Sequence, residues 1–399
     1  MSSAFNRHFS RVSYTPLLLS LTLTACSGSD DVESPTPEPS PAVSPTEAPT
    51  ATPEAATPTP SPEDNRRAPF AAVVTSDYSN GTLSLLHLDS SESELDLLSV
   101  GGDTLVEGYA DQLYLMMSSF SGPNYLSIHK TDQALSLVKK VELGNGVNPR
   151  DVAFVGNKGY VSLFNGNAVQ VFDPATGDLG KKITLSDYAD ADGDANPLAL
   201  EVVGDTLYVG LARIDYTNNY LPTAPGYIIA IDTKTDEISS AIETTGNNLS
   251  HLYALDDKTL VVSSIGSYGA ADGGIEAIDL VQQESVGYLF SDETLGVQDK
   301  GGFTAAEGLL FMVIDQTLAV LEPVNREILP SPEALDELAL QSVTHDPNGR
   351  LWLGDLDKKL WVYDPVSETL LTESGRSFTN ESKQQLYSLG FVLSPTFQE

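Results

Sequence analysis

The densest run of chemically capable side chains is Asp190-Ala191-Asp192-Gly193-Asp194-Ala195-Asn196-Pro197-Leu198-Ala199-Leu200-Glu201, with oxygen ligands at positions 1, 3, 5 and 12. Alternate carboxylates closed by a bidentate glutamate can wrap a hard divalent cation, so Asp190, Asp192, Asp194 and Glu201 are candidate metal ligands for Ca2+. Ala195 stands where the sharp turn calls for glycine, Pro197 disturbs the next turn, and Glu201 falls on an expected strand. A different fourth ligand, or a solvated acidic loop holding no ion, is therefore also open. A second cluster, Arg213, Asp215, Tyr216 and Tyr220 with Tyr268 further on, suits ligand binding. Tyrosine rings supply contact area at small entropic cost, and the planar fork of Arg213 can hold an anionic or carbonyl group.

Cys26 is the only cysteine, which leaves no disulfide framework and no thiolate metal site. It ends Leu23-Thr24-Ala25-Cys26, behind an apolar run that follows Arg7, His8 and Arg11. This reads as a lipoprotein signal peptide over residues 1–25, cut before a cysteine that then carries lipid. Ser27 in place of an aspartate favours sorting to the outer membrane, with a periplasmic or a surface-exposed location both open. Residues 26–68 form a linker rich in Ser-Pro, Thr-Pro and Glu-Pro dipeptides and free of aromatic residues. Such a segment stays solvated and disordered, and could reach about 100 Å at most.

The net charge is −35, moving to −37 when Arg7 and Arg11 leave with the leader. A surface of that sign repels nucleic acid and attracts cations and basic partners. Adaptation to a saline habitat accounts for it equally well.

These candidate residues need a scaffold, and an internal repeat supplies one. A strand ending in an apolar pair, usually followed by an acid, recurs seven times, at Leu88-Asp89, His129-Lys130, Phe172-Asp173, Ile231-Asp232, Ile278-Asp279, Leu321-Glu322 and Tyr363-Asp364. Most are spaced by 41 to 47 residues, with one wider gap before Asp232. Four short strands per repeat cannot bury both sheet faces alone and must stack radially, so residues 69–395 are expected to form an all-β, seven-bladed β-propeller. Blade one lacks an innermost strand. The apolar run Leu386 to Val392 is expected to supply it and close the ring.

The segments Val171-Phe172-Asp173-Pro174-Ala175-Thr176-Gly177-Asp178-Leu179, Ile231 to Ile238 and Tyr363 to Leu370 resemble the YVTN-repeat, YncE-like family of bacterial seven-bladed propellers. The resemblance covers almost the whole domain and implies its fold. Such propellers serve many ligands, so it implies little about function.

In a propeller the turns between second and third strands share one face with the links between blades. Here that face is uneven: the excursion from Arg213 to Tyr227 and the link from Asp187 to Pro197 are long, and the turns at Asp315-Gln316 and Asp355 to Asp357 are tight. Long loops on a rigid scaffold are where binding residues concentrate. No His-Glu-x-x-His, phosphate-binding glycine loop or Gly-x-Ser-x-Gly elbow occurs. His251 and His345 sit near inner strands, and a lactonase-like hydrolase would need carboxylates converging at the channel mouth. The expected function is ligand binding by a monomer anchored through Cys26, capturing a small molecule for an outer-membrane transporter. The alternative is a protein–protein interaction scaffold of the cell envelope.

Overall fold

A four-stranded sheet that is apolar on both faces must be covered on both, and packing each sheet against two neighbours in a ring achieves this. The computed structural model describes residues 69–392 apart from 89, 120, 121 and 299–301. Cys26, the leader and the proline-rich segment lie outside the described residues. Seven antiparallel sheets form a seven-bladed β-propeller. Blades two to seven contribute the inner strands Thr104–Tyr109, Pro149–Val155, Pro197–Val203, Leu249–Ala254, Thr304–Ala306 and Leu340–His345 in chain order. Each blade runs outward from its inner strand, and buried apolar clusters fill the space between neighbours.

Blade one is built from both ends of the described chain. Phe70–Ser76, buried at every position, pairs on one side with Asn80–His87 and on the other with Gln385–Val392. The C-terminal strand thus becomes the innermost strand of the first blade, as its apolar sequence requires. Six of its eight residues are buried. It also lies close against blade two, where the Val106 N–H donates to Ser388 Oγ at 3.1 Å. Two glycines permit that approach: a Cβ on Gly108 would fall 1.9 Å from the Phe391 carbonyl oxygen, and one on Gly390 would fall 2.8 Å from that of Val106. Trp352 of blade seven meets Phe391 edge-on at 5.4 Å from the other side. Arg376 donates to the carbonyls of His87 and Glu92, and Thr379 and the Asn380 amide donate to Asp96, which ties the segment before the closing strand to blade one.

The acid that marks each repeat has a local cause. Asp173 accepts the amides of Ala175 and Thr176 at 2.8 and 3.0 Å, and Asp279 accepts those of Val281 and Gln282 at 2.8 and 2.9 Å. Asp232, Glu322 and Asp364 do the same in their blades. A carboxylate at the first turn position satisfies donors that the turn leaves unpaired. In blade two, where Lys130 takes the marker position, Asp132 accepts the amides of Ala134 and Ser136 instead.

Ring closure predicts two results. Truncation after Gln384 should lower the melting temperature by roughly 5 °C or more, because it strips the pairing partner from one edge of an entirely buried strand. Gly108→Ala should cost about 2 kcal/mol through collision with the Phe391 carbonyl, whereas Gly210→Ala, with no atom nearer than 3.8 Å to the added carbon, should lose nothing within about 0.5 kcal/mol. Chemical denaturation of the three variants checks this, and equal stability of Gly108→Ala with the parent would refute the closure geometry.

Candidate functional site

The excursion between the second and third strands of blade four folds as a small hairpin, Ile214–Asp215 against Leu221–Pro222, around one helical turn at Tyr216–Asn218. Asp215 is buried and caps that turn, accepting the amides of Thr217 and Asn218 at 2.8 and 3.0 Å. Asn219 and Tyr220 follow with φ of 58° and 59°, reversing the chain. Ile214 anchors the base in an apolar cluster with Phe164 and Ala212, against which Leu198 and Tyr216 pack.

Arg213 also points inward. Its guanidinium donates to the Pro225 carbonyl and lies 5.0 Å over the Tyr227 ring, and the residue is buried. Arg213 and Asp215 therefore shape the hairpin, and the surface it offers is aromatic. Tyr216 meets Tyr220 edge-on at 5.4 Å, with Tyr220 and Leu221 each 45 % exposed. Tyr268, 42 % exposed, stands on the separate excursion of blade five.

The acidic link runs beside the hairpin and is hydrogen-bonded at each aspartate. Asp190 and Asp192 accept the amides of Asp192 and Asp194 at 3.1 and 2.9 Å. Their remaining oxygens reach the hairpin: Asp192 Oδ2 accepts the Tyr216 amide at 2.8 Å, and Asp190 Oδ2 accepts the Thr223 hydroxyl at 3.1 Å. From blade three, Asn167 donates to Asp194 Oδ1 and to the Gly193 carbonyl, and accepts the Ala195 amide. Burial, and then contact with Asp192, pushes the Asp190 carboxyl up to about 6. Asp192 sits low despite burial, through its side-chain interaction with Asp190 and because the amides of Tyr216 and Asp194 donate to it. Burial and the Asp192 charge raise Asp194.

Glu201 is not with these three. Pro197 starts the inner strand of blade four, and Glu201 on that strand accepts the Ala254 amide of blade five beside Asp151 of blade three. Asp151 Oδ2 in turn accepts the Leu200 amide at 2.9 Å. Glu201 keeps partial contact with solvent yet is surrounded by protein. Burial first, and the Asp151 charge second, push its carboxyl up to about 8. Further round, His345 bonds Thr304 at 2.6 Å and burial lowers its basicity, while Tyr253 lies edge-on to Phe303 and His345. Among the described residues, no group of three or more histidines, cysteines or carboxylates is arranged to hold a metal ion. The four-ligand shell that the spacing suggested is thus not assembled.

The partners that fix the link were not singled out from sequence. Asn196 holds the Ile214 amide through its side chain, and its carbonyl accepts the Ala212 amide. Asn148 and Asn248 occupy equivalent positions, each buried, each with φ near that of Asn196 (54°, 52° and 49°), and each accepting the amide just beyond its blade's second strand. An asparagine directly before three successive inner strands was the available signal. Nothing marked Thr223.

No family model matches the chain, and no curated protein matches it. Among solved structures it is similar to hydrazine synthase of Kuenenia stuttgartiensis, with a TM-score of 0.48 and 17 % identity over 65 % of this chain and 75 % of that one. It is also similar to the computationally designed Ika8 protein, with a TM-score of 0.44 and 13 % identity over 69 % of this chain and 75 % of that one. Likenesses this distant carry nothing about function.

Glu201 gives a prediction with a definite sign. A carboxyl raised by folding binds more protons folded than unfolded, so stability falls as pH climbs from the ordinary glutamate range to about 8 and is flat above. The slope is at most about 1.4 kcal/mol per pH unit. Glu201→Gln should flatten this part of the profile in denaturation series between pH 5 and 9, and identical slopes in both proteins would refute the assignment.

Proposed function

We propose that this chain is an exported, lipid-anchored β-propeller of the cell envelope that binds a ligand on its loop face. The observation that carries this reading is the blade-four hairpin: a segment fixed by caps, a buried arginine and an apolar base, yet holding Tyr220 and Leu221 out in solvent. Rings held rigidly in water provide contact area with little left to lose in entropy, which suits a preorganised binding surface. The resemblance to YVTN-repeat, YncE-like propellers and the signal ending at Cys26 support the cellular setting, with sorting to the outer membrane and transfer of a small molecule to an outer-membrane transporter as the role. In this reading Tyr216, Tyr220 and Tyr268 touch the ligand, and Arg213 and Asp215 act by holding the hairpin in shape. Calcium at Asp190, Asp192 and Asp194 would require these carboxylates to turn from the amide, hydroxyl and Asn167 donors they now accept and converge on the ion. A melting temperature that falls on chelation in the parent and is unmoved in Asp192→Ala would support that occupancy.

The scaffold reading draws on a different observation. Val281, Val324 and Val366 project from the outer turns of blades five, six and seven, exposed by 65, 82 and 71 %. Single exposed apolar residues are ordinary on soluble proteins, so this is the weaker of the two readings.

Two experiments test the favoured one. Cys26→Ala should be exported and soluble with unchanged secondary structure, and retention on membranes after a high-salt wash would refute the anchor. For a ligand found by thermal-shift screening, Tyr220→Ala should weaken binding by more than about 1 kcal/mol, while substitutions at Gln316 and Asp357 in the tight turns should be silent. Calorimetric titration decides it, and parent affinity in Tyr220→Ala would remove the hairpin from the site.

A further inference from the structure

We propose that the acidic link is a latch, in which Asp192 and Asp190 hold the blade-four hairpin against the loop face and so set the position of Tyr216 and Tyr220. The two aspartates are then positioning residues of the ligand face. The proposal rests on the ligand reading only for what the hairpin binds.

The geometry points both ways along the link. On the hairpin side, Asp192 Oδ2 takes the Tyr216 amide at the start of the helical turn, and Asp190 Oδ2 takes the Thr223 hydroxyl just past the returning strand. Both limbs of the hairpin are thus bound to the same short segment. On the other side, Asn167 of blade three grips that segment through the Gly193 carbonyl, Asp194 Oδ1 and the Ala195 amide. Within the link, the Asp190 amide donates to the Asp194 carbonyl and the Gly193 amide to that of Asp190, which closes it into a compact turn. A strap therefore runs from blade three, through three aspartates, to both limbs of the blade-four excursion.

Apolar packing secures the base of the hairpin and the Tyr216 ring that rests on it. Ile214 and Ala212 are buried, whereas positions 217 to 221 are exposed. The turn that carries the two rings is capped internally by Asp215, so it can move as a unit if the strap lets go. Local opening of this kind needs far less free energy than global unfolding. Acceptors at Asp190 and Asp192, together with the packing of Tyr216 on the base, couple the unit to the propeller.

Hydrogen exchange on the full chain, read by mass spectrometry without ligand, tests the latch separately from the ligand reading. Asp192→Ala should accelerate exchange in the peptide containing Tyr216 by at least tenfold, with the peptide spanning Phe70–Ser76 unchanged. Thr223→Val should give a smaller acceleration. Asp187→Asn removes the same charge from an exposed site on the same link and should give none. If Asp192→Ala accelerates the whole domain, Asp192→Asn decides, because one carbonyl oxygen must then serve both the Asp194 and Tyr216 amides. Parent-level protection at Tyr216 in the deciding variant, or equal acceleration in Asp187→Asn, would overturn the latch. Failure of ligand binding in Tyr220→Ala would bear on the ligand reading and leave the latch standing.

Discussion

Pairing of Phe70–Ser76 with Gln385–Val392 is the interaction on which the remaining blades depend. Each four-stranded sheet is covered by its two neighbours, so a gap anywhere exposes two apolar faces and lets the adjoining blades splay. The gap is closed by backbone hydrogen bonds between chain segments with the other six blades between them, and by contact close enough that Gly108 and Gly390 leave no room for a Cβ. The loop face keeps its geometry only because that ring is rigid, and everything placed on it inherits the constraint.

Carboxylates are the second recurring theme, and they act mainly as acceptors for backbone amides. The repeat acids close outer turns, Asp215 caps a helical turn, Asp151 and Glu201 bridge inner strands of successive blades, and Asp190 and Asp192 hold a hairpin. Turn and link amides have no strand partner, and a short acidic side chain is the nearest group able to satisfy them. Part of the strongly negative charge is therefore structural, spread over all levels of the ring. Asp190 and Glu201, both shifted upward, are the places where this use of acids brings like charges together.

The fold was legible because its determinants are local or strongly patterned. An acid after an apolar pair is a turn signal in itself, and Leu386 to Val392 is too apolar to be left in solvent, so blade number and closure both followed. The candidate site was legible in place but only partly in role. Tyr216 and Tyr220 do share one hairpin, since chain neighbours on a short excursion have little choice. Arg213 was expected to face a ligand, yet Tyr227 and the Pro225 carbonyl, residues a dozen or more positions away, draw it inward. Glu201 was counted as a twelfth loop position, but a strand begins at Pro197 and advances about 3.3 Å per residue, which carries the side chain well away from Asp190. Spacing in sequence reports distance only while the local conformation is known.

The closing strand also has a consequence for how the protein is made. Until Gln385–Val392 emerges, Phe70–Ser76 has an unpaired edge, and the Phe, Val and Thr residues along it favour pairing with another chain. Loop-closure entropy sets in before the last contact rewards it, which makes such a topology slow to complete. An open solenoid gains stability with each repeat added, but here the first blade is finished last. A nascent chain that stops short of Gln385 consequently carries six blades beside a three-stranded first sheet, and the hazard of that open edge lasts until the closing strand is added.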